Sequence, residues 1–132
     1  MKFYIGSSLK NYNLVNSYSK VLKDYGWIRT YDWVKNVNQD TSLENLKNYA
    51  QLEFQGILDS DIVIILLPAE KGAHIEFGMA VALNKKIVLC SSSNEDFSLE
   101  NTVVFYEMPN VIKLMGTIDE NLKSIVKVGE SK

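Results

Sequence analysis

The chain is poor in the residues that staple small domains or build metal centres. Among 132 residues there is one cysteine, Cys90, and one histidine, His74. An intramolecular disulfide is therefore impossible, and neither a thiolate zinc site nor a histidine-rich one can be assembled. Packing has to supply the stability, and no metal or cofactor is expected. Basic excess is also missing: 14 Lys and Arg stand against 16 Asp and Glu, for a net charge of −2. Phosphate-backbone binding needs a basic footprint, so nucleic acid is excluded as an expected partner. The longest aliphatic run, Ile62 to Leu67, ends at Pro68, far short of the roughly 20 apolar residues of a bilayer helix. No secretory-type apolar stretch follows Met1-Lys2-Phe3-Tyr4-Ile5-Gly6, so no membrane association and a cytoplasmic address are expected. The two prolines, Pro68 and Pro109, stand singly, and no repeat or low-complexity linker interrupts the chain. One domain spanning 1–132 is expected.

Strand and helix patterns alternate along this domain. Phe3-Tyr4-Ile5 is a short apolar strand ending at Gly6. Leu14, Val15, Tyr18, Val21, Leu22 and Tyr25 then recur at helical spacing, and Gly26 stops that helix. Trp27 to Tyr31 is rich in aromatic and β-branched residues and reads as a second strand. A second helix over about Ser42 to Leu58 carries Leu43, Leu46, Ala50, Ile57 and Leu58 on one side. Ile62 to Leu67 has no polar alternation, the pattern of a central strand buried on both faces. A helix over about Ala73 to Leu83, a strand at Ile87 to Cys90, a helical turn near Val103 to Tyr106 and a strand at Val111 to Leu114 follow. Thr117-Ile118-Asp119-Glu120 is a capping box opening a last helix, with Ile118, Leu122, Ile125 and Val126 as its stripe. Five strands separated by helices predict a doubly wound α/β domain with a parallel sheet of order 2-1-3-4-5, flavodoxin-like, with helices on both faces. Its ligand crevice lies beyond the carboxyl ends of strands 1 and 3, in the loops Gly6 to Tyr12 and Pro68 to His74.

The common nucleotide loops are missing. There is no GxxxxGK[ST], no GxGxxG after strand 1, and Gly6-Ser7-Ser8-Leu9-Lys10 lacks the hydroxyls of a flavodoxin phosphate loop. Attention turns to polar residues out of place. Glu76 shares a helix side with Met79, Ala80 and Leu83, so it points to the sheet; placed in the first turn, it would be held as the anion by free N–H groups, as a nucleophile requires. A plain N-terminal capping acid is the other reading. Gly72 and Gly78 bracket this segment and permit close approach. Glu53 falls at an inward position of the second helix, unless that helix rotates to bury Phe54 instead. Tyr4, in the first strand, needs a partner for its buried phenol, and Glu76 is a candidate. His74 reads as loop structure or a ligand contact, Cys90 as a structural thiol, and Trp33 as packing or a surface on which a base stacks.

These residues resemble a family. Tyr4-Ile5-Gly6, Leu52-Glu53-Phe54-Gln55-Gly56-Ile57 with Asp61-Ile62-Val63, and above all Gly72-Ala73-His74-Ile75-Glu76-Phe77-Gly78 are similar to segments of the nucleoside 2-deoxyribosyltransferases and their nucleotide N-glycosidase relatives. The resemblance implies that Glu76 attacks the anomeric carbon of a 2′-deoxynucleoside and forms a covalent sugar ester. It implies that Tyr4 holds the nucleophile, that Glu53 binds the sugar or assists the base, and that Glu70 contacts the base. Gly6, Ser7, Gly72 and His74 complete the implied substrate contacts. Two departures are Glu53 for the usual aspartate and His74 for a common glycine.

Pro109-Asn110-Val111-Ile112-Lys113-Leu114 resembles a segment that reaches a neighbouring subunit's site, which implies a homo-oligomer with Asn110 near another pocket. The partners implied are a 2′-deoxynucleoside or nucleotide and a free nucleobase. Monophosphate N-glycosidases have a serine for phosphate where Glu70 stands, which favours a nucleoside, while Lys71 can offset that charge. Transfer to a second base, hydrolysis of a monophosphate, and a binding module without turnover remain as alternatives.

Overall fold

The computed structural model describes residues 1–37 and 41–131. The chain alternates strands β1 (Lys2–Ser7), β2 (Ile28–Arg29), β3 (Ile62–Leu66), β4 (Lys86–Ser91) and β5 (Val111–Met115) with helices α1 (Tyr12–Asp24), α2 (Leu43–Asp59), α3 (Lys71–Ala82) and α4 (Ile118–Glu130). All strand pairs are parallel, in the order β2-β1-β3-β4-β5. This is the predicted doubly wound sheet. Helices α1 and α4 pack together on one face, α2 and α3 on the other. The unbroken apolar run of β3 is buried along its whole length, as are Ile87 to Leu89 of β4. Each fully buried aliphatic side chain there contributes roughly 1.5–3 kcal/mol. Among the described residues no helix is long and apolar enough to cross a membrane.

Four expectations shift on contact with the fold. The second strand has only two residues, because beyond Arg29 the outer edge of β1 is satisfied by other groups: Thr30 N–H bonds Phe3 O at 3.0 Å and the Trp33 indole N–H bonds Ile5 O at 2.6 Å. Val21 of α1, Tyr25 just past its end and Ile118 of α4 are exposed, so the inward stripes narrow to Val15, Tyr18 and Leu22, and to Leu122 and Ile125. In α2 the apolar periodicity is real but unburied. Leu43, Leu46, Ala50 and Leu58 are exposed, and only Gly56 and Ile57 reach the core, because α2 meets the sheet at its carboxyl-terminal end. Helix α3 begins at Lys71, two residues before the expected start.

Candidate active site

Beyond the carboxyl ends of β1 and β3, where the connections diverge to opposite faces, lies a cavity of about 400 Å³. Its size falls in the range of small-molecule pockets. Glu53, Glu70, Glu76, Trp33, Lys71 and Gly72 are in its wall, together with Ser7, Ser8, Leu9 and Ala73. A second chamber of about 310 Å³ shares Leu9, Trp33 and Glu53 with it and extends along α2 past Tyr49 and Leu46.

The chemical centre is built from three elements. Tyr4 of β1 is fully buried, and its phenol donates to Glu76 Oε2 of α3 and reaches Glu53 Oε1 of α2 at 3.5 Å. Two glycines allow this convergence. A Cβ on Gly6 would lie 2.8 Å from Glu76 Oε1, and one on Gly56 would lie 2.8 Å from Tyr31 Cβ and 3.1 Å from the Tyr4 ring. Gly56 thus lets α2 descend until Glu53 reaches the cavity, while Phe54 stays exposed. Glu53 is the inward residue, not Phe54.

Electrostatics correct one expectation about Glu76. With α3 starting at Lys71 it is the sixth helical residue, in the second turn, away from the free N–H groups. Burial, and the neighbouring Glu53 carboxyl within hydrogen-bond reach, push its proton affinity up, while the Tyr4 hydrogen bond acts in the opposite direction. Burial and the two carboxylates likewise push the Tyr4 phenol upward, so it remains a donor. The Tyr4 phenol is the contact that favours the Glu76 anion, against a net shift towards the protonated acid.

Other predicted residues divide between the cavity and positions elsewhere. Glu70 lines the cavity and accepts from Ser8 Oγ at 2.5 Å. Gly72 borders it with open space above its Cα. Ser7 lines it too, but its hydroxyl donates to Leu66 O at 2.8 Å and accepts from Asn11 Nδ2 at 3.0 Å, stitching β1 to β3. His74 is not in the cavity wall; it faces the other side of the β3–α3 connection, against Tyr106. Asn110 bonds Lys85 O at 3.0 Å at the amino ends of β4 and β5, the opposite edge of the sheet. Gly78 meets nothing within 4 Å, so no close approach requires it. Cys90 is buried, and burial pushes its thiol up to about 12, which makes it a poor nucleophile.

Residue type does not single out Ser8, Leu9 or Ala73, although all three lie on the two connections that the switch-point rule selects, and Lys71, expected to offset the Glu70 charge, lines the same cavity. Trp33 is a cavity wall fixed by its indole hydrogen bond to β1. No side chain caps the start of α3, so its first-turn N–H groups border the cavity beside Lys71.

No protein-family model matches the chain, and no curated protein matches its sequence. Among solved structures, the chain is similar to the Clostridium botulinum CMP N-glycosidase BcmB, with 20% identity and a TM-score of 0.67 over 96% of this chain and 99% of that one. The likeness establishes the class of fold: a doubly wound α/β domain shared along essentially its whole length.

Proposed function

We propose that the protein cleaves the N-glycosidic bond of a 2′-deoxynucleoside, with Glu76 as nucleophile and Glu53 as acid and base. The observation that carries this reading is the Tyr4 phenol set between two cavity carboxylates, one buried and one half-buried. In the first step a Glu76 oxygen bonds to the anomeric carbon as the carbon–nitrogen bond breaks. Glu76 enters as the anion by passing its proton to the adjoining Glu53 carboxylate, and the bonding pair leaves with the base, which takes that proton from Glu53. Glu53, now ionised, deprotonates water or a second base, whose attack on the sugar ester releases Glu76. Tyr4 holds Glu76 and stabilises its anion in both steps. The likeness to a CMP N-glycosidase, at the level of fold, agrees with this reaction class.

A second reading, hydrolysis of a nucleoside 5′-monophosphate, is favoured by Lys71 and the uncapped start of α3, which together suit a phosphate. Glu70 opposes it. The reading includes a homo-oligomer, for which the exposed apolar side of α2 is the candidate surface.

Incubation with 2′-deoxynucleosides, their monophosphates and free bases, followed by chromatography, tests these assignments. New nucleosides identify a transferase and free base alone a hydrolase. Binding without either product leaves a binding module and rejects the enzyme.

A further inference from the structure

We propose that His74 is a positioning residue that clamps Glu70, the residue opening α3, and thereby sets the polar wall facing the substrate. The proposal rests on the glycosidase reading for its kinetic consequence. Its geometry stands independently.

His74 Nδ1 lies 2.9 Å from Glu70 O, and Nε2 lies 2.7 Å from the Tyr106 hydroxyl. A carbonyl only accepts, so Nδ1 carries the hydrogen, and Nε2 accepts from the phenol. The two rings stack with centroids 5.9 Å apart and planes 7° from parallel. Tyr106 is itself buried, edge-on to Phe77 at 5.5 Å and to Phe97 at 6.4 Å. The imidazole is thus held in one tautomer and one orientation by an anchor from a distant part of the chain.

What the clamp holds is placed between two environments. The Glu70 carbonyl accepts from His74 Nδ1 and from the His74 backbone N–H at 3.1 Å, on the side away from the cavity. The Glu70 carboxylate lies on the cavity side, where it accepts from Ser8. Helix α3 has no side-chain cap, so the Glu70 side chain does not fix the helix entry, and the His74 imidazole adds a second donor to the Glu70 carbonyl while the first-turn N–H groups stay free. Rotation of the Glu70 peptide would move both its carboxylate and the free N–H groups that follow. Tyr4, Glu53 and the second-turn Glu76 are held by other contacts. Loss of the clamp therefore weakens substrate binding and spares the chemical step. The substrate class selected at this wall is one presenting N–H or O–H donors to Glu70.

The single histidine makes the test clean. Long-range proton–nitrogen correlation of the imidazole is expected to show hydrogen on Nδ1 and none on Nε2; the opposite tautomer overturns the proposal. In His74→Ala, KM is expected to rise about fivefold, the loss of one hydrogen bond, with kcat within about twofold. His74→Asn places an amide N–H where Nδ1 stood and should restore KM. His74→Gln places it where Nε2 stood and should not. Backbone shifts of Glu70 and Ser8 should move in His74→Ala and return in His74→Asn. An unchanged KM, or equal behaviour of the Asn and Gln variants, overturns the assignment. A wild-type protein that cleaves nothing rejects the glycosidase reading instead, and the tautomer and the Glu70 and Ser8 shifts then decide the clamp by themselves.

Discussion

Gly6 and Glu76 are fitted to one another: a single Cβ on the strand residue would sit 2.8 Å from the carboxylate oxygen Oε1 of the helix residue. The same added carbon would lie 2.9 Å from Ile65 Cδ1, so it has a core side chain on one side and the candidate nucleophile on the other. Gly6→Ala should cost about 1–3 kcal/mol as an overpacked site. It should also lower kcat at least about tenfold by turning the Glu76 carboxylate away from Tyr4. Thermal unfolding and steady-state kinetics check the two effects separately. A variant of normal activity would remove the requirement for close approach.

Glu76→Gln and Glu76→Ala should each abolish turnover while the fold persists, since the side chain borders a cavity rather than filling the core. A trapped sugar ester on Glu76, seen by mass spectrometry of denatured wild type, is the direct positive for the nucleophile. Stability gives a second readout. Burial raises the Glu76 proton affinity above its ordinary value of 4.5, so the folded state binds this proton more tightly than the unfolded state does. The associated stability is fully present below about pH 4.5 and is lost progressively as the pH rises towards the folded value. Glu76→Gln keeps an oxygen to accept from Tyr4 and removes the ionisation. It should melt a few degrees above wild type near neutral pH, roughly the effect of 1 kcal/mol in a domain of this size. The advantage should shrink as the pH falls. An advantage that grew on acidification would contradict the burial of this carboxyl.

Tyr4→Phe removes the hydrogen bond that opposes the rise in Glu76 proton affinity. The acid limb of kcat/KM, where Glu76 loses its proton, should move to higher pH. Activity at neutral pH should fall by about 10²-fold, the scale of losing one preorganised donor. A Tyr4→Phe profile superimposable on wild type would show that the phenol is only packing.

The fold was legible where local pattern and burial agree. The apolar run of β3 and the Thr117 and Glu120 capping box lie where they were expected, with Thr117 N–H to Glu120 Oε1 at 3.0 Å and Glu120 N–H to Thr117 Oγ1 at 3.2 Å. Glu76, Glu53 and Tyr4 were legible because polar groups on inward positions demand partners. The start of α3 was not, since Glu70 caps nothing with its side chain and leaves no local stop signal. The two-residue misplacement put Glu76 in the wrong turn and suggested the wrong source of charge stabilisation. His74 was illegible for another reason. Its partner Tyr106 is 32 residues away, and no periodicity reports a contact of that kind.

The last prediction concerns assembly. On one side of α2, Leu43, Ala50, Phe54 and Leu58 follow each other at spacings that keep them in line, and all are exposed in the single chain, Leu43 to 72%. Contiguous apolar surface of this kind marks an interface more often than a solvated face. The same helix presents Leu46 and Glu53 to the two chambers, so a copy docked on it would narrow the cavity mouth. Exclusion of water from the reacting atoms would follow. A two-fold dimer is the simplest closed arrangement, and it needs about 800 Å² from each partner, more than this stripe by itself supplies, so neighbouring surface must join it. Light scattering at micromolar concentration should give at least a dimer. Phe54→Glu should yield a folded monomer with unchanged circular dichroism and a raised KM, since the charge lies on the outer side of α2 and away from Tyr4. A wild-type monomer with full activity would remove α2 as an interface, and a Phe54→Glu protein that stays dimeric would place the contact on another face.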